Sequence, residues 1–441
     1  MSHTSPLRIA VISEHASPLA AIGGVDAGGQ NIYVAKTAEC LARMGHEVDV
    51  YTRREDTVLP TVIHVAPRLR VIQVDAGPPE PVAKEGLLPH MPAFAAFVER
   101  QARRFGGYDI AHANFFMSGW VARELKRAIG LPYVITFHAL GCVRQLHQRE
   151  ADAFPAERLA IEEELASGPD GADMVIAECP QDRRDLMRCC HVPAHRLRTV
   201  PCGVDLDELA PQSRSDARAA LGMQPDDFVV LQLGRLVPRK GIDNVIQAFA
   251  RLAPAGRSAQ LVIVGGDHRD PSKMRSPELE RLRGLAHVLQ VADRVRFVGQ
   301  RRRDELAQWY AASDVFVTTP WYEPFGITPL EAMACERPVI GSRVGGIQHT
   351  VVDGRTGYLV EPRDPQALAA RLEQLRGDPV LAATLGHAGG QRVRRGYTWQ
   401  QVAVALDAVY ADVLRRATDP QGVATLHALR ASTSLGSAHA I

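Results

Sequence analysis

Trp321-Tyr322-Glu323-Pro324-Phe325-Gly326-Ile327-Thr328-Pro329-Leu330-Glu331-Ala332-Met333-Ala334 is the stretch on which the reading of this chain turns. An apolar, β-rich run at residues 315–319 leads into it and stops at Pro320. A polar turn then opens a helical pattern whose expected first residue is Pro329. The segment reads as strand, loop, helix. Thr328 stands where a cap is expected and Glu331 follows three residues later, the spacing of a capping box. The same helix start also offers free N–H groups, at Gly326, Ile327 and Thr328, and the positive end of the helix dipole, which suit a phosphate. Glu323 on the loop and Glu331 in the first turn do nothing for a phosphate, but paired carboxylates suit the hydroxyls of a sugar. Phosphate plus hydroxyls suggests a nucleotide sugar.

Glu323-Pro324-Phe325-Gly326 followed by Glu331-Ala332 resembles the paired-glutamate signature of the retaining glycosyltransferases of the GT-B fold, a group that includes sucrose-phosphate synthases and inositol-phosphate glycosyltransferases. The resemblance implies an α/β protein of two Rossmann-like domains whose parallel sheets face a central cleft. It also implies that Glu331 holds the nucleotide ribose and Glu323 the donor sugar ring.

Outward from this stretch the chain alternates strands and helices, the pattern of parallel sheets with covering helices. Strands are expected at residues 9–12, 47–51, 69–74, 110–113, 133–137, 174–177 and 199–200, and again at 228–233, 260–264, 295–298, 315–319, 338–341 and 358–360. A polar connection carrying Pro211, Ser213 and Ser215 separates the two series. The expected division is an acceptor-binding domain at 1–205, a nucleotide-sugar-binding domain at 206–396, a terminal helix at 397–416 that crosses back to the first domain, and a flexible tail at 417–441.

Loops at expected strand ends supply the remaining candidates, because open α/β sheets bind ligands there. Gly23-Gly24-Val25-Asp26-Ala27-Gly28-Gly29-Gln30-Asn31 opens the first helix, and its glycines can present N–H groups to an anion. The order from Asp26 to Asn31 resembles the loop with which the same family meets acceptor and phosphate, and His15 lies just before it. Lys84 and Arg158 are similar to residues that meet an acceptor phosphate in relatives; a surface lysine and a helix-surface ion pair are the alternatives. His138, in Thr136-Phe137-His138, is placed by the same resemblance against the donor sugar. Phe115 and Ala139 lack the hydroxyls that phosphate-accepting relatives carry. In Gly234-Arg235-Leu236-Val237-Pro238-Arg239-Lys240-Gly241, Arg235 offers a bidentate fork and Lys240 a point charge to a diphosphate. The basic run Arg301-Arg302-Arg303 has no interleaved aromatics and reads as a solvated loop near the base, with Asp304 capping the next helix. His349 stands where many relatives carry a glutamate.

Over 441 residues, 46% hydrophobic and 23% charged content is ordinary for a globular protein, and a net charge of +1 gives no global footprint for nucleic acid. The seven cysteines show neither zinc spacing nor disulfide density, which suggests a reducing cytoplasm. No stretch is long and apolar enough for a membrane span, while peripheral membrane contact stays open. The expected activity is transfer of a hexosyl unit from a nucleoside diphosphate sugar to a soluble sugar or sugar phosphate, with no cofactor and no metal. A lipid-linked or polysaccharide acceptor, an epimerase of the same architecture and a non-enzymatic nucleotide-sugar-binding regulator are the alternatives.

Overall fold

The computed structural model describes residues 5–19, 28–148, 153–253 and 258–418. The first sheet contains β1 (Arg8–Ile12), β2 (Glu47–Arg53), β3 (Val62–Ala66), β4 (Leu69–Val74), β5 (Ile110–Asn114), β6 (Tyr133–Thr136), β7 (Met174–Ala177) and β8 (Leu197–Thr199). Its order is β3-β4-β2-β1-β5-β6-β7-β8, parallel except for β3. The second contains β9 (Phe228–Leu233), β10 (Ala259–Val264), β11 (Val295–Gly299), β12 (Val315–Thr318), β13 (Val339–Ser342) and β14 (Gly357–Val360), in the order β11-β10-β9-β12-β13-β14 and parallel throughout. Central strands such as β5, β6, β7, β12 and β13 are buried along their whole length, as strands covered by helices on both faces must be.

β3 is the one strand that the sequence pattern did not single out. It is an antiparallel edge strand whose residues are half-buried or exposed, so hydrophobic alternation had nothing to report.

Both sheets reverse their order beside the first strand, between β1 and β5 in one and between β9 and β12 in the other. Ligands of open α/β sheets sit outside the carboxyl ends of strands at such points. The residues that leave those four ends are Ser13 to His15, Phe115, Gly234 to Lys240 and the Trp321 stretch.

The junction expected at 205/206 falls in the connection between β8 and the helix Arg214–Leu221. The terminal helix Trp399–Thr418 packs on the first sheet's helix Gly29–Arg43. Tyr410 is hydrogen-bonded to His112 Nδ1 on β5 at 2.7 Å, and Arg198 on β8 pairs with Asp412 at 2.9 Å. The helix runs two residues past the expected end, and residues 419–441 of the expected tail lie outside the described residues. Where the chain recrosses, Val204 N–H donates to Tyr397 O at 2.9 Å, and a Cβ on Gly203 would stand 2.6 Å from Trp399 N. The two crossings therefore touch.

Candidate active site

A cavity of about 760 Å³ lies between the two sheets' carboxyl edges. The second-domain wall holds Arg235, Arg239, Lys240, Glu323, Ile327, Thr328 and Glu331. The first-domain wall holds His15, Gly28, Gly29, Gln30, Asn31, Lys84, His138 and Arg158. Of the residues singled out in the sequence, Asp26 lies outside the described residues, and Gly326 turns the backbone behind the wall.

The helix after β12 spans Ile327–Ala334, with Gly326 as its cap at φ +90°. The capping box expected from Thr328 and Glu331 is absent. Thr328 already lies within the first turn, and the Glu331 carboxylate, instead of capping the helix start, accepts from Arg303 Nη1 at 2.7 Å and from the Tyr310 hydroxyl at 2.9 Å. The loop is seated by Gly345, where a Cβ would fall 1.6 Å from Glu323 O, so any side chain there would displace the turn carrying Glu323. His349 sits behind this wall on the short helix Ile347–Thr350, where its carbonyl accepts from Arg392 Nη2 at 2.8 Å.

Lys240 closes the tight turn Pro238–Lys240 after β9 and donates to Glu323 Oε2 at 2.5 Å; Arg239 Nη1 stands 3.4 Å from the same oxygen. Burial favours a protonated Glu323, but Lys240, Arg239 and Arg235 outweigh it and hold the carboxyl down at about 2. Burial, offset in part by Glu323, lowers the Lys240 ammonium. Lys240, one of the two cations expected to meet a diphosphate, thus already shares a carboxylate with Arg239, while Arg235 acts on that carboxylate only through its charge.

The basic run divides. Arg302 is exposed and pairs with Asp304 at 2.7 Å. Asp304 is not the cap: Glu305 accepts from Arg302 N at 2.7 Å, and the helix Arg303–Ala312 starts ahead of Asp304. Arg303, read as solvated, is 13% exposed and bridges Glu331 and Glu208 at 2.7 Å each. Burial works against its charge, and the two glutamates more than offset that, raising the guanidinium above its ordinary value. Sequence reasoning missed this residue together with Tyr310. The one available signal was its place at the first helical position, where an inward-facing arginine reads no differently from an outward-facing one.

On the opposite wall, Asn31 Oδ1 accepts from Gly28 N at 2.9 Å and Asn31 Nδ2 donates to Ser17 O at 3.0 Å, fixing the start of the helix Gly29–Arg43. Gln30 donates to Asn114 O at 3.2 Å. A Cβ on Gly29 would stand 3.5 Å from Ile327 Cδ1, so the amino ends of two helices, one from each domain, meet across the cleft. His138 lies between Glu178 Oε1 at 3.1 Å and Asn114 Oδ1 at 3.0 Å. Both His138 (φ +58°) and Phe115 (φ +87°) hold left-handed backbone at this wall, a strained geometry that clusters at functional sites. His15 stacks edge-on against Phe115 and reaches Glu14 Oε1 at 2.7 Å. Lys84 opens a single helical turn at the rim.

Arg158 is 2% exposed. Its Nε donates to Glu162 Oε1 at 2.7 Å and its Nη2 to Ala139 O at 2.6 Å, under the rings of Phe115, Phe116 and Phe154. The alternative of a helix-surface pair is therefore excluded: the pair is interior. Its Nη1 is buried without a partner among the described residues.

A cleft between two parallel-sheet domains, with a cationic turn and a helix start on one wall, is the GT-B architecture. The description Glycosyltransferase Family 4 matches residues 27–208, and Glycosyl transferases group 1 matches residues 213–392. The D-inositol 3-phosphate glycosyltransferase of Acidothermus cellulolyticus is 38% identical over 430 residues, covering 96% of this chain and 94% of the relative. That of Actinosynnema mirum is 38% identical over 92% of this chain and 98% of its own. The solved sucrose-phosphate synthase of Thermosynechococcus elongatus superposes with a TM-score of 0.84 at 38% identity, over 93% of this chain and 99% of that one. The chain belongs to this glycosyltransferase family, and it is an enzyme of the transferase class. No described helix is long and apolar enough to cross a membrane.

Proposed function

We propose that this glycosyltransferase moves a hexosyl unit from a nucleoside diphosphate sugar to a soluble sugar or sugar phosphate, with retention at the anomeric carbon. The observation that carries the reading is the meeting of two helix amino ends, at Gly29 and Ile327, beside Arg235 and Lys240. An anion held there is contacted by both domains, so binding the diphosphate also closes the cleft.

As the bond from sugar to phosphate breaks, charge grows on the leaving diphosphate. Arg235, Lys240 and the amides of Ile327 and Thr328, with Gly28 and Gly29 opposite, stabilise it from fixed positions. Fixed cations and amides, rather than a metal, take this role. Glu331 receives the ribose and Glu323 the sugar ring, with His138 over the same ring. Attack from the leaving-group face, assisted by the departing phosphate, retains configuration without a covalent nucleophile. Closure excludes water and limits hydrolysis.

Lys84, Arg158 and His15 line the acceptor side, and the relatives are named for phosphorylated polyols and sugars. All seven cysteines are free, consistent with a cytoplasmic enzyme. The deciding experiment sets UDP-, GDP- and ADP-sugars against inositol phosphate, fructose 6-phosphate and simple sugars, scored by product mass. A glycosylated product bearing phosphate supports the reading. Turnover of donor without any acceptor would instead indicate an epimerase.

A further inference from the structure

Glu331 is 2% exposed, and a carboxylate so enclosed carries its charge only if it is paired. Each oxygen has one protein partner: Oε1 accepts from Arg303 Nη1 at 2.7 Å and Oε2 from Tyr310 at 2.9 Å. An ionised carboxylate has about four lone-pair sites, so about two remain, enough for the two hydroxyls of a ribose diol. Tyr310 donates a hydrogen bond but no charge, which leaves Arg303 as the cation paired with this carboxylate.

Arg303 is itself gripped from behind. Its Nε donates to Glu208 at 2.7 Å; Glu208 lies in the connection between the domains and also pairs with Lys36, on the helix Gly29–Arg43 of the first domain. Lys36 holds Asp205 at 3.0 Å as well. The guanidinium is thus fixed between two carboxylates, one structural and one facing the cavity. Its Nη2 is buried without a partner among the described residues. An unmet buried donor costs about 1 to 3 kcal/mol, and such a cost calls for an explanation other than stability.

We propose that Arg303 is a positioning residue for nucleotide recognition: it holds the Glu331 carboxylate against the donor's 2′,3′-diol and so sets a preference for ribonucleoside over dideoxyribonucleoside diphosphates. The inference rests on the donor-site reading given above. It differs from a scaffolding role in what it predicts, since a scaffold would affect both nucleotides alike.

The test measures binding of UDP, GDP and ADP and of their 2′,3′-dideoxy counterparts to the wild-type enzyme, Arg303→Gln and Arg303→Lys. The wild type is expected to favour its best ribonucleotide over the dideoxy form by about tenfold or more, the worth of a charge-assisted hydrogen bond. In Arg303→Gln the preference should shrink to about threefold or less, with dideoxy affinity unchanged, donor KM raised and kcat retained. Arg303→Lys should recover part of the preference. Equal weakening of both nucleotides in Arg303→Gln, or an unaltered preference, overturns the proposal. If Arg303→Gln does not fold, Arg303→Lys decides: an intermediate preference supports the proposal and a wild-type one overturns it. A wild-type enzyme that binds diphosphates without preferring either form overturns this inference alone. One that binds none of the three overturns the donor-site reading and this inference with it.

Discussion

On the second-domain wall, charges from the stretches after β9, β11 and β12 are set against one another: Lys240 and Arg239 on Glu323, Arg303 on Glu331. On the first-domain wall, the candidate groups come from the ends of β1, β5 and β6 and from separate helices, and aromatic rings cover the deepest cation, Arg158. The difference separates two tasks. On the proposed reading, a diphosphate and a ribose need the same cations, amides and carboxylates whatever they are attached to, so short stretches after β9, β11 and β12 suffice. The acceptor, on the same reading, is met by groups that must be assembled over long range.

The largest effect expected from breaking this comparison is on the donor side. Lys240→Ala should lower kcat by about a hundredfold or more, the usual loss when one fixed donor to a developing anion is removed. The circular dichroism spectrum should stay that of the folded protein, with a melt lowered by loss of the Lys240–Glu323 pair. Near-normal turnover would remove the diphosphate grip from the second-domain wall.

Arg158→Ala probes the other wall and should behave differently. The substitution takes a buried cation from the Glu162 carboxylate, so it should cost about 3 kcal/mol of stability, read from the urea midpoint. Among folded molecules it should raise KM for a phosphorylated acceptor more than for a neutral one. Equal loss with both would assign Arg158 to packing under the phenylalanines alone.

A smaller effect sharpens the donor side through pH. Glu323 has its folded pKa held at about 2, below its ordinary 4.5, by cations that outweigh burial. The unfolded chain therefore takes up this proton first, and the pair's stabilisation is present above pH 4.5 and lost as pH falls toward 2. Urea midpoints of wild type and Glu323→Gln should diverge at neutral pH and converge over that window. Parallel curves would show that Lys240 and Arg239 do not hold the carboxylate. The smallest expected effect is none: treatment with a chelator should leave transfer rates unchanged, and a loss restored by a divalent cation would replace the fixed-cation account.

The buried strands were legible because each is a short apolar run ending in glycine or a polar turn, as at residues 228–233 before Gly234. β3 was not, since none of its side chains is fully buried. In the site, Glu323 and Glu331 could be found because they stand in one local pattern, and Lys240 because it stands in a second one directly after β9. Arg303 could not, because its partners Glu208 and Glu331 are 95 and 28 residues away and its sequence neighbours are exposed. Thr328 misled for a related reason: Gly326 can begin the helix two residues early by taking a positive φ, which a rule based on polar caps does not foresee. The left-handed backbone of Phe115 and His138 leaves no trace in composition at all.

The contact between Val204 and the 397–399 segment limits how the enzyme can breathe. Two polypeptide passages lie side by side at one edge of the molecule, so relative rotation of the lobes about any axis other than the line through that edge would shear one passage against its neighbour. A jaw-like opening about that line leaves both passages undisturbed, and it is the motion that would part Gly29 from Ile327 across the cavity.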